Sequence, residues 1–145
     1  MDNITIRELK PEDSEAIADI SEEITQTPVD TDFKRMVAEQ AETSKNASFV
    51  ADHDGKVVGY LISYMLPGSF GTDKSAWVAM LGVSPSFMGQ GIGESLAMET
   101  FKLYKKEGIK NIYTSVRWDS TDLLSFFKRL GFDRSNFINL RKKID

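Results

Sequence analysis

Three glycines stand at alternate positions, Gly89, Gly91 and Gly93, where the apolar run at 77–83 (WVAMLGV) gives way to a long helical pattern. Glycine weakens a helix start, so three in five positions need a reason: a sharp backbone bend, or a group that must come very close to the main chain. Backbone N–H groups at a helix N-terminus favour anions, and glycines let a phosphate reach them. The plainer alternative is a tight turn with a close helix–sheet contact, for which one glycine would suffice. Pro85 ends the strand and sets the direction in which the chain enters the turn. The run is not a P-loop, because Glu94 and Ser95 follow the last glycine where Lys-Ser/Thr is needed. Nor is it a dinucleotide fingerprint: the sixth position is Glu94 counted from Gly89 and Leu96 counted from Gly91.

The elements that must position this turn follow from periodicity. Residues 4–9 alternate as a strand. Residues 11–24 read as a helix, with Pro11 tolerated in the first turn and Glu12, Asp13 and Glu15 at the positive end of the dipole. Residues 30–44 read as a second helix. Residues 47–66 read as a hairpin about Asp54-Gly55. A strand at 75–83, a helix at 89–107, a short strand at 111–116, a helix at 120–130 closed by Gly131, and a last strand at 137–144 complete the chain. The order predicts an α/β (α+β-like) fold, a mixed sheet flanked by helices, antiparallel in its hairpin half and parallel in the later βαβ unit.

The 145 residues suggest a single domain over 1–145, and a hydrophobic content of 41% is enough for a core. The chain has no cysteine, which excludes disulfides, cysteine-ligated metals and a thiol nucleophile. With a net charge of -4 and dispersed basic residues, a nucleic-acid partner is not expected. No apolar run approaches a membrane span and the N-terminal residues do not resemble a signal peptide, so a cytoplasmic protein without membrane contact is expected.

The segment MLGVSPSFMGQGIGESL, residues 80–96, resembles the acyl-CoA-binding segment of the GNAT (GCN5-related) N-acetyltransferases, in which an apolar strand ends in Val-x-Pro and Gln/Arg-x-x-Gly-x-Gly/Ala opens a helix. Val83, Pro85, Gly89, Gly91 and Gly93 match. SFFKRLGF, residues 125–132, resembles the family's second segment through Gly131 and Phe132. The resemblance implies acetyl-CoA as cosubstrate and a splayed sheet whose strands around 81–83 and 113–116 part to admit the pantetheine arm. It also implies pairing of the arm with the backbone of Leu81, Gly82 and Val83. The pyrophosphate would then rest on amides from Gly89 through Gln90, Gly91, Ile92 and Gly93 to Glu94. Met88 stands where the family usually has Gln or Arg.

The chemistry implied is acetyl transfer to a primary amine, small-molecule or protein, by direct attack in a ternary complex. That needs a neutral amine, an oxyanion donor and a proton for the leaving thiolate. The family's usual tyrosine donor position is Phe127, expected instead to pack near the thioester end of the arm. The family's asparagine falls on Ser120, beside Asp119, and helix capping is the expected role of either. The glutamate often used as base is absent, with Ala76, Val78 and Ala79 in its place. The N–H of Val83 is the candidate oxyanion donor. Asp119 and Tyr64 are the candidate catalytic side chains, with Tyr60 on the same strand face as Tyr64.

The other candidates carry weaker signals. Tyr113 and Trp77 are expected to pack, Trp118 to lie at the open end of its strand, and His53 to be exposed in its turn. The loop at 67–75 and the acids Glu22, Glu23 and Asp30–Asp32 suit an acceptor site or plain surface. The resemblance also implies that the sheet edge near 137–144 could pair in a homodimer. Loss of the usual acid and base keeps open a second function, a non-catalytic acyl-CoA-binding regulatory module. A nucleotide-binding regulatory domain is disfavoured by the failed fingerprints.

Overall fold

The computed structural model describes residues 3–43, 47–66, 68 and 73–145. In chain order the elements are β1 (Ile4–Glu8), a 3-10 turn (Pro11–Asp13), α1 (Ser14–Thr25), α2 (Thr31–Thr43), β2 (Phe49–His53), β3 (Lys56–Leu66), β4 (Ser75–Val83), a second 3-10 turn (Pro85–Phe87), α3 (Ile92–Lys106), β5 (Ile112–Thr114) and α4 (Thr121–Arg129). Among the described residues the strands form one sheet in the order β1-β2-β3-β4-β5, antiparallel except for the parallel β4–β5 pair. This is the mixed, helix-flanked sheet that the periodicity predicts.

Helices cover both faces. Ile17, Ile20 and Val37 of α1 and α2 bury against Val50, Val57, Tyr60 and Ile62 on one face. Ile92, Leu96 and Ala97 of α3, with Phe127 of α4, bury against Phe49, Ala51, Val58, Leu61 and Val78 on the other. The β1–α1 corner is held by the buried Asp13, which accepts two hydrogen bonds from Arg7, both 3.0 Å, and one from the Lys10 N–H at 2.8 Å. A buried polar contact joins β3 to α3, with the Ser63 and Tyr104 hydroxyls 2.5 Å apart. The Ser63 hydroxyl also lies against the Ala47 carbonyl oxygen.

Between Met80 and Val78, β4 carries one residue more than β3: Ile62 pairs Met80 and Ser63 pairs Val78, leaving Ala79 as a bulge. The bulge slips the alternation, so that Ala76 and Val78 below it, and Leu81 and Val83 above it, all join the clusters on the α3 face.

The observed elements depart from the expected ones in three places. The helix begins at Ile92 rather than 89, because Gly89 and Gly91 have φ of 81° and 79°, which no right-handed helix contains. The strand expected over 111–116 stops at Thr114, where β5 leaves β4. The strand expected over 137–144 does not form. Phe137 sets its ring edge-on to Tyr113 and the Asn139 amide donates to the Ser115 hydroxyl at 2.9 Å, but the three residues of β5 offer too short an edge for a ladder.

Candidate functional site

The β4–β5 pairing covers only Ala76–Val78 with Ile112–Thr114. At its upper end the Thr114 hydroxyl donates to the Val78 carbonyl oxygen at 2.9 Å. Beyond this bond, at the Ala79 bulge, the two strands separate, so a gap opens beside the upper half of β4. The Ser84 N–H donates to the Val58 carbonyl oxygen at 2.8 Å, and Gly59 pairs Val83. Alternate residues of an antiparallel strand turn their amide groups to opposite edges. The N–H and C=O of Val83 and Leu81 therefore face away from β3, into the gap, while those of Gly82 face β3. Gly82 serves the site differently: the Tyr60 ring lies over it, and a Cβ there would fall 2.7 Å from the Tyr60 hydroxyl oxygen.

The three glycines answer to two physical demands. Gly89 and Gly91 hold positive φ, and a Cβ on either would meet nothing within 4 Å, so the turn bends sharply beside open space. Gly93 is already helical, and its reason is proximity. A Cβ there would lie 3.3 Å from the Phe126 ring of α4 and 4.0 Å from Cγ2 of Val83. A close contact thus explains one glycine of the three, but with the α4 ring rather than the helix–sheet contact of the plainer alternative.

The first amides of α3, on Ile92, Gly93 and Glu94, lack intrahelical acceptors and lie next to this open turn. Ile92 is buried under the sheet and pins the helix start. Gln90 is exposed in the turn. A cradle of main-chain donors at a helix N-terminus fits a phosphate group, although Glu94 in the first turn and the exposed Met88 add no positive charge.

Phe127 is buried, edge-on to Phe126 and Phe132 with ring centroids 5.4 and 5.0 Å apart, in the same cluster as Val78 at the base of the split. Neither Asp119 nor Ser120 caps α4 through its side chain, contrary to expectation. Asp119 is taken instead by Arg117 in a two-point ion pair, both contacts 3.0 Å, which lowers its pKa below the ordinary carboxylate value. Ser120 holds the N-cap position by its backbone alone, its carbonyl oxygen accepting from the Leu124 N–H at 3.0 Å. Trp118, between Arg117 and Asp119, is 87% exposed.

Tyr64, half-buried, pairs with Trp77, which stacks on Tyr113 at 5.1 Å. Tyr60, on the same face of β3, is buried, and burial raises its pKa against the opposing pull of its hydrogen bond with Ser21 of α1. His53 is half-buried with its ring 5.1 Å from Phe87 in the turn before the glycines, not simply exposed.

Of the acids near α1 and α2, Glu23 accepts from the Ser84 hydroxyl at 3.5 Å, and the others serve local bonds. Glu22 accepts from the Val29 N–H at 2.8 Å, Asp30 from the Phe33 N–H at 2.9 Å, and Asp32 pairs Arg35. Residues 67 and 69–72 of the candidate acceptor loop lie outside the described residues. A groove of about 730 Å³ is lined by Thr114, Val116, Phe127, Phe132 and Phe137 among others. None of residues 79–94 lines it, while Trp77, Thr114 and Phe127, at the base of the split, do. Among the described residues no helix is long and apolar enough to cross a membrane, and no group of three His, Cys, Asp or Glu is placed to hold a metal ion.

The sequence profile of the Acetyltransferase (GNAT) family matches residues 14–132. The chain belongs to the GNAT acetyltransferase family. The match spans α1 to Phe132, so the split strands, the glycine turn and α4 all fall inside the GNAT portion. The chain is similar to a mycothiol acetyltransferase of Amycolatopsis mediterranei (strain U-32), 29% identical over 89 residues that make up 59% of this chain and 30% of that protein. It is also similar to N-alpha-acetyltransferase 30 of Schizosaccharomyces pombe (strain 972), 31% identical over 87 residues, 60% of this chain and 57% of that one. The aligned stretch thus spans about a third to somewhat over half of these relatives. In fold it matches the PaiA N-acetyltransferase of Thermoplasma acidophilum, solved in complex with coenzyme A, with a TM-score of 0.77 at 20% identity over 93% of this chain and 92% of the other.

Phe126 and Thr114 are the site residues that sequence reasoning did not reach. A glycine inside the first turn of a helix, where no positive φ is needed, was the signal that a bulky neighbour such as Phe126 packs there.

Proposed function

We propose that residues 1–145 form one GNAT domain that transfers an acetyl group from acetyl-CoA to a primary amine of a small molecule or a protein. The observation that carries the reading is the arrangement of main-chain donors: the gap-facing amides of Leu81 and Val83 lead to the glycine turn and the first amides of α3. That spacing of an extended edge and an anion cradle suits an arm ending in a pyrophosphate. The family membership and the relatives named above support the same reaction class.

Acetyl-CoA supplies an activated acetyl group as a thioester, and the amine displaces the thiol directly, since the chain has no cysteine to carry the acetyl group. Gly89, Gln90, Gly91, Ile92, Gly93 and Glu94 bind the pyrophosphate through backbone amides. Leu81 and Val83 hold the arm through their gap-facing amides, Gly82 between them stays paired with β3, and Ser120 and Phe127 flank the arm from α4. The Val83 N–H donates to the oxygen on which negative charge develops. Water removes the amine proton and supplies a proton to the leaving CoA thiolate, with Asp119 and Tyr64 as the side chains that assist. The protein works in the cytoplasm, and its 137–144 segment is the surface for a homodimer partner.

The test is Gly91→Glu, which puts a negative side chain into the open turn. Calorimetry is expected to show CoA binding by the parent chain and its loss in a folded Gly91→Glu protein. Unchanged binding overturns the site. Titration of free thiol with acetyl-CoA and an amine panel tests the reaction. CoA binding without transfer to any amine would leave a binding module.

A further inference from the structure

The reading above leaves unexplained why the half-buried ring of Phe126 lies where it does. Its Cε1 and Cζ sit 3.3 Å from the position of a Cβ on Gly93, which is itself 4.0 Å from Cγ2 of Val83. One aromatic edge therefore lies at the junction of the anion cradle and the strand edge. An arm running from the first amides of α3 to the gap-facing N–H of Val83 must cross that junction. Phe126 is backed by the buried Phe127 ring, which fixes the plane it can present. The glycine at 93 lets the ring sit this close, because a Cβ there would force it to give way by a few tenths of an ångström.

We propose that Phe126 is a cofactor-positioning residue, the apolar floor on which the pantetheine arm of acetyl-CoA rests between pyrophosphate and thioester. The inference rests on the cofactor site assigned under Proposed function. The floor touches the arm and leaves the nucleotide end alone. Truncating it therefore weakens ligands that have an arm and spares those that lack one. Burying most of a phenyl face on binding corresponds to roughly a tenfold change in affinity.

The probes are CoA and 3′-phospho-ADP, which shares the nucleotide and pyrophosphate but has no arm. By calorimetry, Phe126→Ala is expected to raise the Kd for CoA about tenfold and to leave that for 3′-phospho-ADP within twofold. Phe126→Leu should recover most of the loss. In turnover with a working amine, the KM for acetyl-CoA should rise while kcat holds. Equal weakening of both ligands would mean that Phe126 only supports the cradle's structure. An unchanged CoA affinity would mean that the arm does not touch it. Either result overturns the proposal. If Phe126→Ala fails to fold, Phe126→Leu and Phe126→Met carry the same comparison, with smaller expected shifts in CoA affinity alone. Gly91→Glu separates this from failure of the underlying site: if that variant still binds CoA, the site itself is misplaced, whereas loss there with no Phe126 effect removes only the floor.

Discussion

The Thr114 hydroxyl donates to the carbonyl oxygen of Val78 across 2.9 Å, at the last position where β4 and β5 run side by side. This bond closes the bottom of the split. Thr114→Val keeps the shape and removes the donor, leaving the Val78 oxygen one partner short. A loss of about 1 kcal/mol in unfolding free energy is expected, measured by urea denaturation with the m-value unchanged.

Phe127 stands where the resemblance to the GNAT family implies a tyrosine, and its ring is buried in the cluster that includes Val78. On the proposed mechanism it packs and donates nothing. Phe127→Tyr is therefore expected to keep or raise kcat, measured as thiol release. A fall of more than about tenfold without loss of stability would show that the packed ring, not a missing acid, is what catalysis needs there.

The pH dependence of transfer should follow the acceptor. A lysine-like amine with a pKa of about 10.4 is almost wholly protonated at neutral pH, so kcat/KM should rise close to tenfold per pH unit between about 7 and 9. Asp119 cannot shape that slope. Its pairing with Arg117 lowers its pKa, so the carboxylate is already ionised throughout this range. The stabilisation linked to that lowered pKa is present above the unfolded value of about 3.9 and is lost as pH falls through the folded one, well into acid. Asp119→Asn and Tyr64→Phe should each preserve the slope. A profile that flattens in either variant would identify that residue as the dedicated base.

The α3 helix, though not its first residue, and the hairpin were legible because their residues have local reasons: Asp54-Gly55 turns with φ of 51° and 89°, and Ile92 begins a buried helical face. The turn of Gly89 and Gly91 was legible for the same cause. What stayed hidden depended on side-chain partners that no periodicity names, whether near or far along the chain. Arg117 takes Asp119 from its expected cap, and Phe126 accounts for Gly93 from 33 positions away. The alternating pattern at 137–144 predicted a strand truthfully as a propensity. A propensity needs an edge to pair with, and β5 is three residues long.

The Ala79 bulge leaves Leu81 and Val83 offering peptide groups, not side chains, to whatever enters the gap. Recognition written in peptide groups is indifferent to spelling. Almost any residue that tolerates an extended backbone would present the same N–H at those two positions, so relatives could drift far apart in sequence and keep the same handhold. An alanine scan would report the packing of those two side chains against the α3 face and miss the handhold. Only a change to the main chain itself, such as a proline at 81 or 83 or an ester in place of an amide, would make its absence felt.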